Sequence, residues 1–222
     1  EAAKAPNDPN AQGRKKHAGD AIFEDVNNDG QLDSKDMIFM GYVRPDKVGG
    51  IINTLKYKGL TVRIVMDWAM GHVIDNGFKG QIMGSSRNNN NAIKEAMTNS
   101  WQSANDGSKY PKYTVQSDYD YQYRNHMRWD NQIGSSASGS TNNSLYFSKG
   151  DYLAFREVSL SYMLPLSWIR KMKLSAVEVF AGAYNIGYIK KYDGMFPEIY
   201  TGVDYGIYPR PRQYNMGVKI NF

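Results

Sequence analysis

The chain has 222 residues, of which 41% are hydrophobic, and it carries a net charge of +5. The absence of cysteine excludes a disulfide scaffold and thiolate metal sites. No stretch approaches the roughly 20 consecutive apolar residues of a membrane helix. The positive charge is diffuse and forms no nucleic-acid motif, so nucleic acid is not expected as a partner.

The first predicted elements are a loop and a hairpin. Residues 1–47 are polar and predict a loop, whereas residues 48–71 predict two strands joined by a tight turn at Lys58-Gly59. The second strand, residues 60–70, has the length of roughly 9–11 residues that crosses a bilayer as a tilted strand. Apolar and polar side chains alternate along it, and one face carries Leu60, Val62, Ile64, Met66, Trp68 and Met70.

The middle of the chain predicts a long loop. Residues 72–149 are polar and rich in Asn, Ser and Gly, with a short helix predicted at 92–101. A loop of this length is uncommon inside a compact soluble domain, but it is typical of the external side of a membrane barrel. Residues 150–188 predict a second hairpin, whose first strand ends at Pro165.

The C-terminal part predicts one more loop and a final strand. Residues 189–208 are aromatic and rich in Gly and Pro, and residues 209–222 end in an alternating strand. For residues 174–188 the pattern does not decide which face is apolar. On the final strand the apolar face carries Tyr214, Met216, Val218, Ile220 and Phe222.

The order of the elements predicts an all-β fold. Short and long connections alternate strictly, which is typical of an outer-membrane barrel with short periplasmic turns and long external loops. Five strands are too few to close a barrel, since the smallest have about eight. We therefore expect them to pair with further strands. Because the chain starts at Glu1 without a signal peptide, we expect a piece of a longer or split protein.

Several ordered motifs resemble one known family. They are GDAIFEDVNNDG (19–30), DYLAFREVSLSYMLP (151–165), VFAGAYNI (179–186), KYDGMFPE (191–198) and the stretch from YPRPR to the end (208–222). Together they resemble the C-terminal part of SusC/RagA-type TonB-dependent outer-membrane transporters.

The resemblance implies a barrel of roughly 22 strands with a plugged lumen. This chain would then supply the C-terminal five strands of a large transmembrane antiparallel β-barrel, with extracellular loops at 1–47, 72–149 and 189–208. Such transporters import oligosaccharides or peptides across the outer membrane of Bacteroidetes-type Gram-negative bacteria. The partners implied are the remainder of the barrel and its plug, a SusD-like lipoprotein, TonB through the absent N-terminal part, and outer-membrane lipid.

An acidic motif within residues 25–36 follows the spacing of a twelve-residue calcium loop. Gly30 lies at the position of the sharp turn, but Asp36 replaces the usual final Glu and no flanking helices are evident. The alternative is an Asp/Asn/Gly-rich turn that needs no metal. The candidate Ca²⁺ ligands are Asp25, Asn27, Asp29, Gln31 through its backbone carbonyl, Asp33 and Asp36.

Aromatic residues crowd the long middle loop, and aromatic faces stack on sugar rings and pack against peptides. The candidates for contact with substrate or with a lid protein are Tyr113, Tyr119, Tyr121, Tyr123 and Trp129. The alternative is packing of the loop on itself. On the predicted lumen face of residues 60–70, Arg63 and Asp67 are candidates for pairing with the plug or the substrate.

The sequence offers no catalytic pattern, since it has neither a Ser/His/Asp order with supporting motifs nor a glycine-rich phosphate loop. We therefore do not expect an enzyme. Two alternatives to a transporter stay open: a secreted calcium-stabilised β-rich binding protein, and a passive porin without a plug.

Overall fold

The computed structural model describes residues 17–32, 34–83, 85–86, 93–115 and 144–222. The chain divides into two compact units, each of which takes segments from several parts of the sequence. One unit is drawn from Glu1–Gly41, Ile74–Ser148 and Thr201–Gly206, and the other from Tyr42–Val73, Lys149–Tyr200 and Ile207–Phe222.

Strands dominate the described residues. In chain order they are β1 (Lys47–Tyr57), β2 (Leu60–Met70), β3 (Val73–Asp75), β4 (Ser85–Ser86), β5 (Thr114–Val115), β6 (Phe147–Lys149), β7 (Tyr152–Met163), β8 (Ala176–Lys190) and β9 (Gln213–Asn221). The α-helices are short: α1 (Gly77–Met83), α2 (Lys94–Thr98) and α3 (Leu166–Ile169). Turns of 3-10 helix lie at Ser34–Asp36, Ser144–Tyr146 and Arg170–Met172. No helix in the described part of the chain is long and apolar enough to span a membrane.

The large sheet is an antiparallel meander in the order β1-β2-β7-β8-β9. Two small sheets, β3 with β6 and β4 with β5, accompany it. The turn between β1 and β2 has positive φ at both Lys58 (44°) and Gly59 (87°), as a type I′ hairpin turn requires. The prediction of an all-β fold with five long antiparallel strands is confirmed.

The observed strands differ from the predicted ones mainly at their ends. β1 begins one residue before the predicted position, and β8 continues to Lys190 instead of ending at 188. The connector after β7 holds α3 and the 3-10 turn Arg170–Met172, which is followed by Lys173 with a φ of 57°. The helix predicted at 92–101 is shorter, since α2 covers Lys94–Thr98, and position 92 lies outside the described residues.

The unit that contains α2 has a small core of its own. Ala96, Tyr110 and Tyr146 are buried together, and the side chain of Tyr113 packs against them. The Tyr110 hydroxyl donates a hydrogen bond to the Glu95 carboxylate at 2.7 Å. Such a small cluster supplies little apolar burial, so the backbone hydrogen bonds around it carry much of the local order.

Candidate functional site

The cross-strand register assigns the side chains of the large sheet to two faces. Val62 lies opposite Leu160, and Val179 lies opposite Val218, all on the same face. The register also settles β8, whose Val177, Val179, Ala181 and Ala183 share this face. Large apolar side chains on this face are exposed: Ile51, Leu55, Leu160, Val179, Met216, Val218 and Ile220. A continuous exposed apolar surface of this kind is typical of contact with another protein or with the apolar interior of a membrane.

The opposite, polar face is shaped by a β-bulge. On β7 the register moves from Phe155, opposite Met66, to Glu157, opposite Val65, so Arg156 is an extra residue. A bulge leaves two consecutive residues facing one partner residue and re-aims their side chains. Arg156 and Glu157 therefore both reach groups on the polar face, although they are neighbours in the sequence.

Arg156 is the centre of what we call the charged cluster, formed by Asp67, Arg156, Tyr188, Glu198 and Arg210. Its guanidinium donates to Asp67 through Nε and, at 2.7 Å, through Nη2, which is a two-point contact. Nη2 also lies 2.6 Å from Glu198 Oε1, and Nη1 donates to the Tyr188 hydroxyl at 3.2 Å. One arginine thus joins β2, β7, β8 and the segment after β8.

Glu198 is the buried carboxylate of the charged cluster. Only 1% of its side-chain surface is exposed, compared with 20% for Arg156 and 55% for Arg210. It accepts a hydrogen bond from the Tyr188 hydroxyl at 2.7 Å and lies 3.4 Å from Arg210 Nη2. A buried charge is tolerated when it is paired and hydrogen-bonded, and these contacts satisfy both conditions for Glu198.

Aromatic rings pack beside the charged cluster. Tyr188 contacts Tyr152 and Phe196 edge to face, with centroid distances of 5.9 Å in both pairs. Ala69 and Ala154 are buried next to Tyr152, which leaves room for the rings. The low polarity of these neighbours strengthens the ion pairs, since it limits screening by water.

A second, more exposed pair lies further along the polar face. Arg63 Nε is 3.4 Å from Glu157 Oε2, and Ser159 donates to the same carboxylate at 2.7 Å. The Arg63 side chain is 43% exposed, so this pair stabilises the sheet little. Arg63 and Asp67, predicted as candidates for pairing with plug or substrate, are both paired with residues of β7 in the described structure.

The ends of β2, β7 and β8 meet at a polar junction. Asp151 accepts from the Gly71 amide at 2.8 Å and pairs with Lys191 at 2.8 Å. The bond from Lys191 is the main reason why the pKa of Asp151 lies below its ordinary value of 3.8. His72 is buried beside Gly150, where an added Cβ would lie 2.2 Å from its ring. Burial lowers the pKa of His72 below 6.5, and its Nδ1 atom has no hydrogen-bond partner among the described residues.

The acidic motif forms a turn held by its own backbone. Asp25 accepts from the amides of Asp29 (3.2 Å) and Gly30 (2.7 Å), and Asp36 accepts from that of Val26 (2.9 Å). Gly30 has a φ of +82°, as expected at the sharp turn. The bond from the Gln31 amide lowers the pKa of Asp29.

These contacts bring Asp25, Asn27, Asp29 and Asp36 into one loop, and Asp33 lies outside the described residues. Within the described ranges no three His, Cys, Asp or Glu side chains converge as metal ligands. Calcium binding by this loop therefore stays a prediction.

Only one of the five aromatic candidates lies in the described part of the chain. Tyr113 is half-buried against the core of Ala96, Tyr110 and Tyr146. Tyr119, Tyr121, Tyr123 and Trp129 lie outside the described residues. Their contact with substrate or lid stays a prediction.

Sequence reasoning singled out Asp67 but missed the other members of the charged cluster, although β7 contains a signal for Arg156. Strict alternation would place Arg156 and Glu157 on opposite faces, and Phe155 and Val158 likewise. Two adjacent charges between apolar residues three positions apart indicate a bulge instead. No sequence signal identifies Glu198 as the partner of Arg156, because the segment that holds Glu198 follows no regular period.

Comparison with known proteins adds the family context. No protein-family profile matches the chain. It is 25% identical over 216 residues to TonB-dependent receptor P3 of Formosa agariphila, and 23% identical to TonB-dependent receptor P26 of the same organism. Both alignments cover 92% of this chain. The resemblance to TonB-dependent receptors is confirmed.

The chain spans about a fifth of the length of these relatives, namely 19% of P3 and 20% of P26. The fold also matches solved structures of the RagAB peptide transporter, with a TM-score of 0.59 and 23% identity over 81% of this chain and 17% of that one. The RagAB importer in its closed-closed state gives a TM-score of 0.58 with 21% identity, covering 83% of this chain and 18% of that one. At this identity the structural match supports the fold alone.

Proposed function

We propose that this chain is a barrel segment of a TonB-dependent outer-membrane transporter. The observation that carries the proposal is the contrast between the two faces of the sheet. One face exposes a continuous apolar surface, while the other holds ion pairs between partly buried side chains and the buried Glu198. Lipid outside and a wet, polar interior would satisfy both faces at once.

The free edges of the sheet support the same proposal. Among the described residues, β1 pairs only with β2 and β9 pairs only with β8 in this sheet. Unpaired edges are unsustainable in lipid, so further strands should complete the barrel. Because the chain matches only about a fifth of its relatives, the plug and the remaining strands would be supplied by other parts of the same protein or by a second chain.

The proposed topology follows from the antiparallel order of the strands. The short connections after β1 and β7 would lie on the periplasmic side. Residues 1–47, 72–149 and 189–208 would form extracellular loops around the strands at 48–71, 150–188 and 209–222. These loops would carry the contacts to a SusD-like lipoprotein, and the candidate residues there are Tyr113, Tyr119, Tyr121, Tyr123 and Trp129.

The substrate that we propose is an oligosaccharide or a peptide. The similarity in fold to RagAB, a peptide transporter, supports the peptide option, while aromatic side chains in the loops suit both. Calcium bound by the loop of residues 25–36 would serve to stiffen an extracellular loop, not to take part in transport.

The decisive experiment combines mass and uptake. Peptides of this chain should map to an outer-membrane protein several times larger than 25.2 kDa, or to a 25.2 kDa chain that co-purifies with the rest of a barrel. Deleting its gene or that of TonB should abolish growth on the same oligosaccharide or peptide mixture. A chain that washes off membranes without detergent would overturn the proposal, and uptake that persists without TonB would indicate a passive porin.

A further inference from the structure

The connection after β8 folds back onto the polar face. We call residues Tyr192–Ile199 the inner segment. Phe196, Pro197, Glu198 and Ile199 are buried in succession, whereas most connecting segments run over the surface of a protein. The burial of this segment therefore requires specific contacts to the sheet.

Glu198 provides the strongest of these contacts. It reaches the Tyr188 hydroxyl at 2.7 Å and Arg156 at 2.6 Å, both of which belong to strands of the sheet. Arg210, which precedes β9, closes the other side of the carboxylate at 3.4 Å. Since the side chain is 1% exposed, its pairing is with protein groups and not with water.

Two further contacts fix the inner segment on either side of Glu198. Phe196 packs edge to face on Tyr188. The Arg210 guanidinium carbon lies over the Phe196 ring, 5.9 Å from the ring centroid. At the start of the segment, Lys190 Nζ donates to the carbonyl oxygens of Tyr192, at 3.0 Å, and of Gly194. An added Cβ at Gly194 would lie 2.3 Å from the Tyr192 ring, so that turn packs closely.

We propose that the inner segment narrows the path along the polar face and sets the largest solute that can pass, with Glu198 as the positioning residue that holds it there. This inference rests on the proposed function, in which the polar face lines the lumen. Even two sheets packed face to face lie only about 10 Å apart, so a segment packed on the polar face takes up a substantial part of the width beside it.

The first test measures whether Glu198 holds the segment. This chain has no cysteine, so Ile199→Cys introduces the only thiol of these 222 residues, at a buried position, and the variant is studied in the complete protein in native outer membranes. In this background, Glu198→Gln should raise the rate at which maleimide labels the thiol at position 199 roughly ten- to hundredfold, because the segment loses a charge-assisted hydrogen bond. Glu178→Gln, which neutralises a carboxylate on the polar face of β8 far from the inner segment, should leave the rate unchanged. Equal rates in all three backgrounds would overturn the anchoring role.

A second variant keeps this test informative if Glu198→Gln does not reach the membrane. Arg210→Gln removes only the half-exposed arginine and leaves Glu198 paired with Arg156. We expect labelling at position 199 to accelerate a fewfold. No acceleration, with normal heat-modifiable migration on gels, would contradict the proposal.

The second test measures the size limit, which a purely structural role would not move. Ile52 lies exposed on the polar face, opposite Val65, so Ile52→Cys places a thiol nearer than Asp67 to the short turn at Lys58-Gly59. Maleimides with polyethylene glycol chains of increasing length are added to intact cells. Glu198→Gln should let longer reagents react, while the rate for the shortest stays the same.

The two tests separate the inference from the function on which it rests. An unchanged length limit, together with faster labelling at position 199, would mean that Glu198 anchors the segment without setting the size of the path. If no reagent reaches position 52 in either background, no open path runs along the polar face and the size limit is wrong, whereas the proposed function is overturned only by the mass and uptake experiment.

Discussion

The acidic loop at residues 25–36 and the charged cluster on the polar face are both built from carboxylates, yet they are held in opposite ways. In the loop, the partners are backbone amides at most 10 residues away, and the groups are exposed. In the cluster, Arg156 and Asp67 are 89 residues apart in the sequence, and Glu198 is buried. The loop is therefore visible in the sequence as a motif, while the cluster exists only once the sheet has formed.

The difference predicts where charge matters for stability. When an exposed carboxylate that caps its own loop loses a hydrogen bond, the cost is small because water takes the place of the lost partner. When a buried charge loses its partner, the cost is large because the charge is left unpaired in the protein interior.

The largest expected effect is that of removing Arg156. Arg156→Met leaves Asp67 and the buried Glu198 without their shared partner, and should lower the free energy of unfolding by roughly 3–5 kcal/mol. The matched control is Arg63→Met, whose ion pair is 43% exposed on the arginine side and should cost below about 1 kcal/mol. Thermal unfolding of both variants in detergent measures the contrast. Equal losses would mean that burial does not distinguish the two pairs.

The next largest loss of stability is expected from a charge on the apolar face, which we propose contacts lipid. Val218→Arg, near the middle of β9, should cost about 2–4 kcal/mol in a bilayer, as charged substitutions do at the bilayer midplane. Asn215→Arg, on the polar face of the same strand, should cost much less. Urea unfolding of the bilayer-inserted protein reports both. A larger cost for Asn215→Arg would reverse the assignment of the faces.

A smaller, pH-dependent effect is expected at the junction of His72 and Gly150. Because the pKa of His72 is lowered in the folded protein, the unfolded chain binds a proton at this residue below about pH 6.5 more readily than the folded protein does. Stability therefore falls as the pH drops below that value, by at most about 1.4 kcal/mol per pH unit for one proton. Asp151 acts in a separate window, since its contribution is lost only as the pH falls below 3.8.

Hydrogen exchange of the Gly150 amide, which donates to the His72 carbonyl at 2.8 Å, measures the effect of His72. Between pH 7 and 5 its protection should fall relative to amides in the middle of β8. His72→Gln should remove the pH dependence, after correction for intrinsic exchange. Protection that rises at low pH would contradict the sign.

The smallest effect is expected from calcium. If the loop of residues 25–36 binds Ca²⁺, the ion should slow proteolysis within it a fewfold, and Asp25→Asn should remove that protection. Because the loop already satisfies its backbone amides, the global stability should change by only a few tenths of a kcal/mol. Unchanged cleavage on chelation would show that calcium has no structural role there.

Most of the sheet could be predicted from the sequence, because each long strand alternates between apolar and polar side chains. β2 was predicted at its observed bounds, Leu60–Met70. The faces of β8 could not be predicted, since Ala181 and Ala183 are too small to mark an apolar face, and pairing with Met216 and Tyr214 was needed to assign them.

The site was harder to predict than the fold. Local chemistry marked the acidic loop, since its spacing encodes its own turn. The cluster depends on a bulge that shifts the register at Arg156 and on an irregular segment that delivers Glu198. Neither the bulge nor the irregular segment follows a sequence period, so only the folded chain brings Asp67, Arg156 and Glu198 together.

If one face of the sheet meets lipid and the other lines a lumen, the two environments should alternate along β9. Single cysteines at positions 213–221, in a chain without natural cysteine, are spin-labelled in native outer membranes. We expect access to oxygen, which concentrates in lipid, to peak at positions 214, 216, 218 and 220, and access to an aqueous relaxation agent to peak at the positions between them. Aqueous access at both sets of positions, or no alternation, would contradict this assignment of the faces.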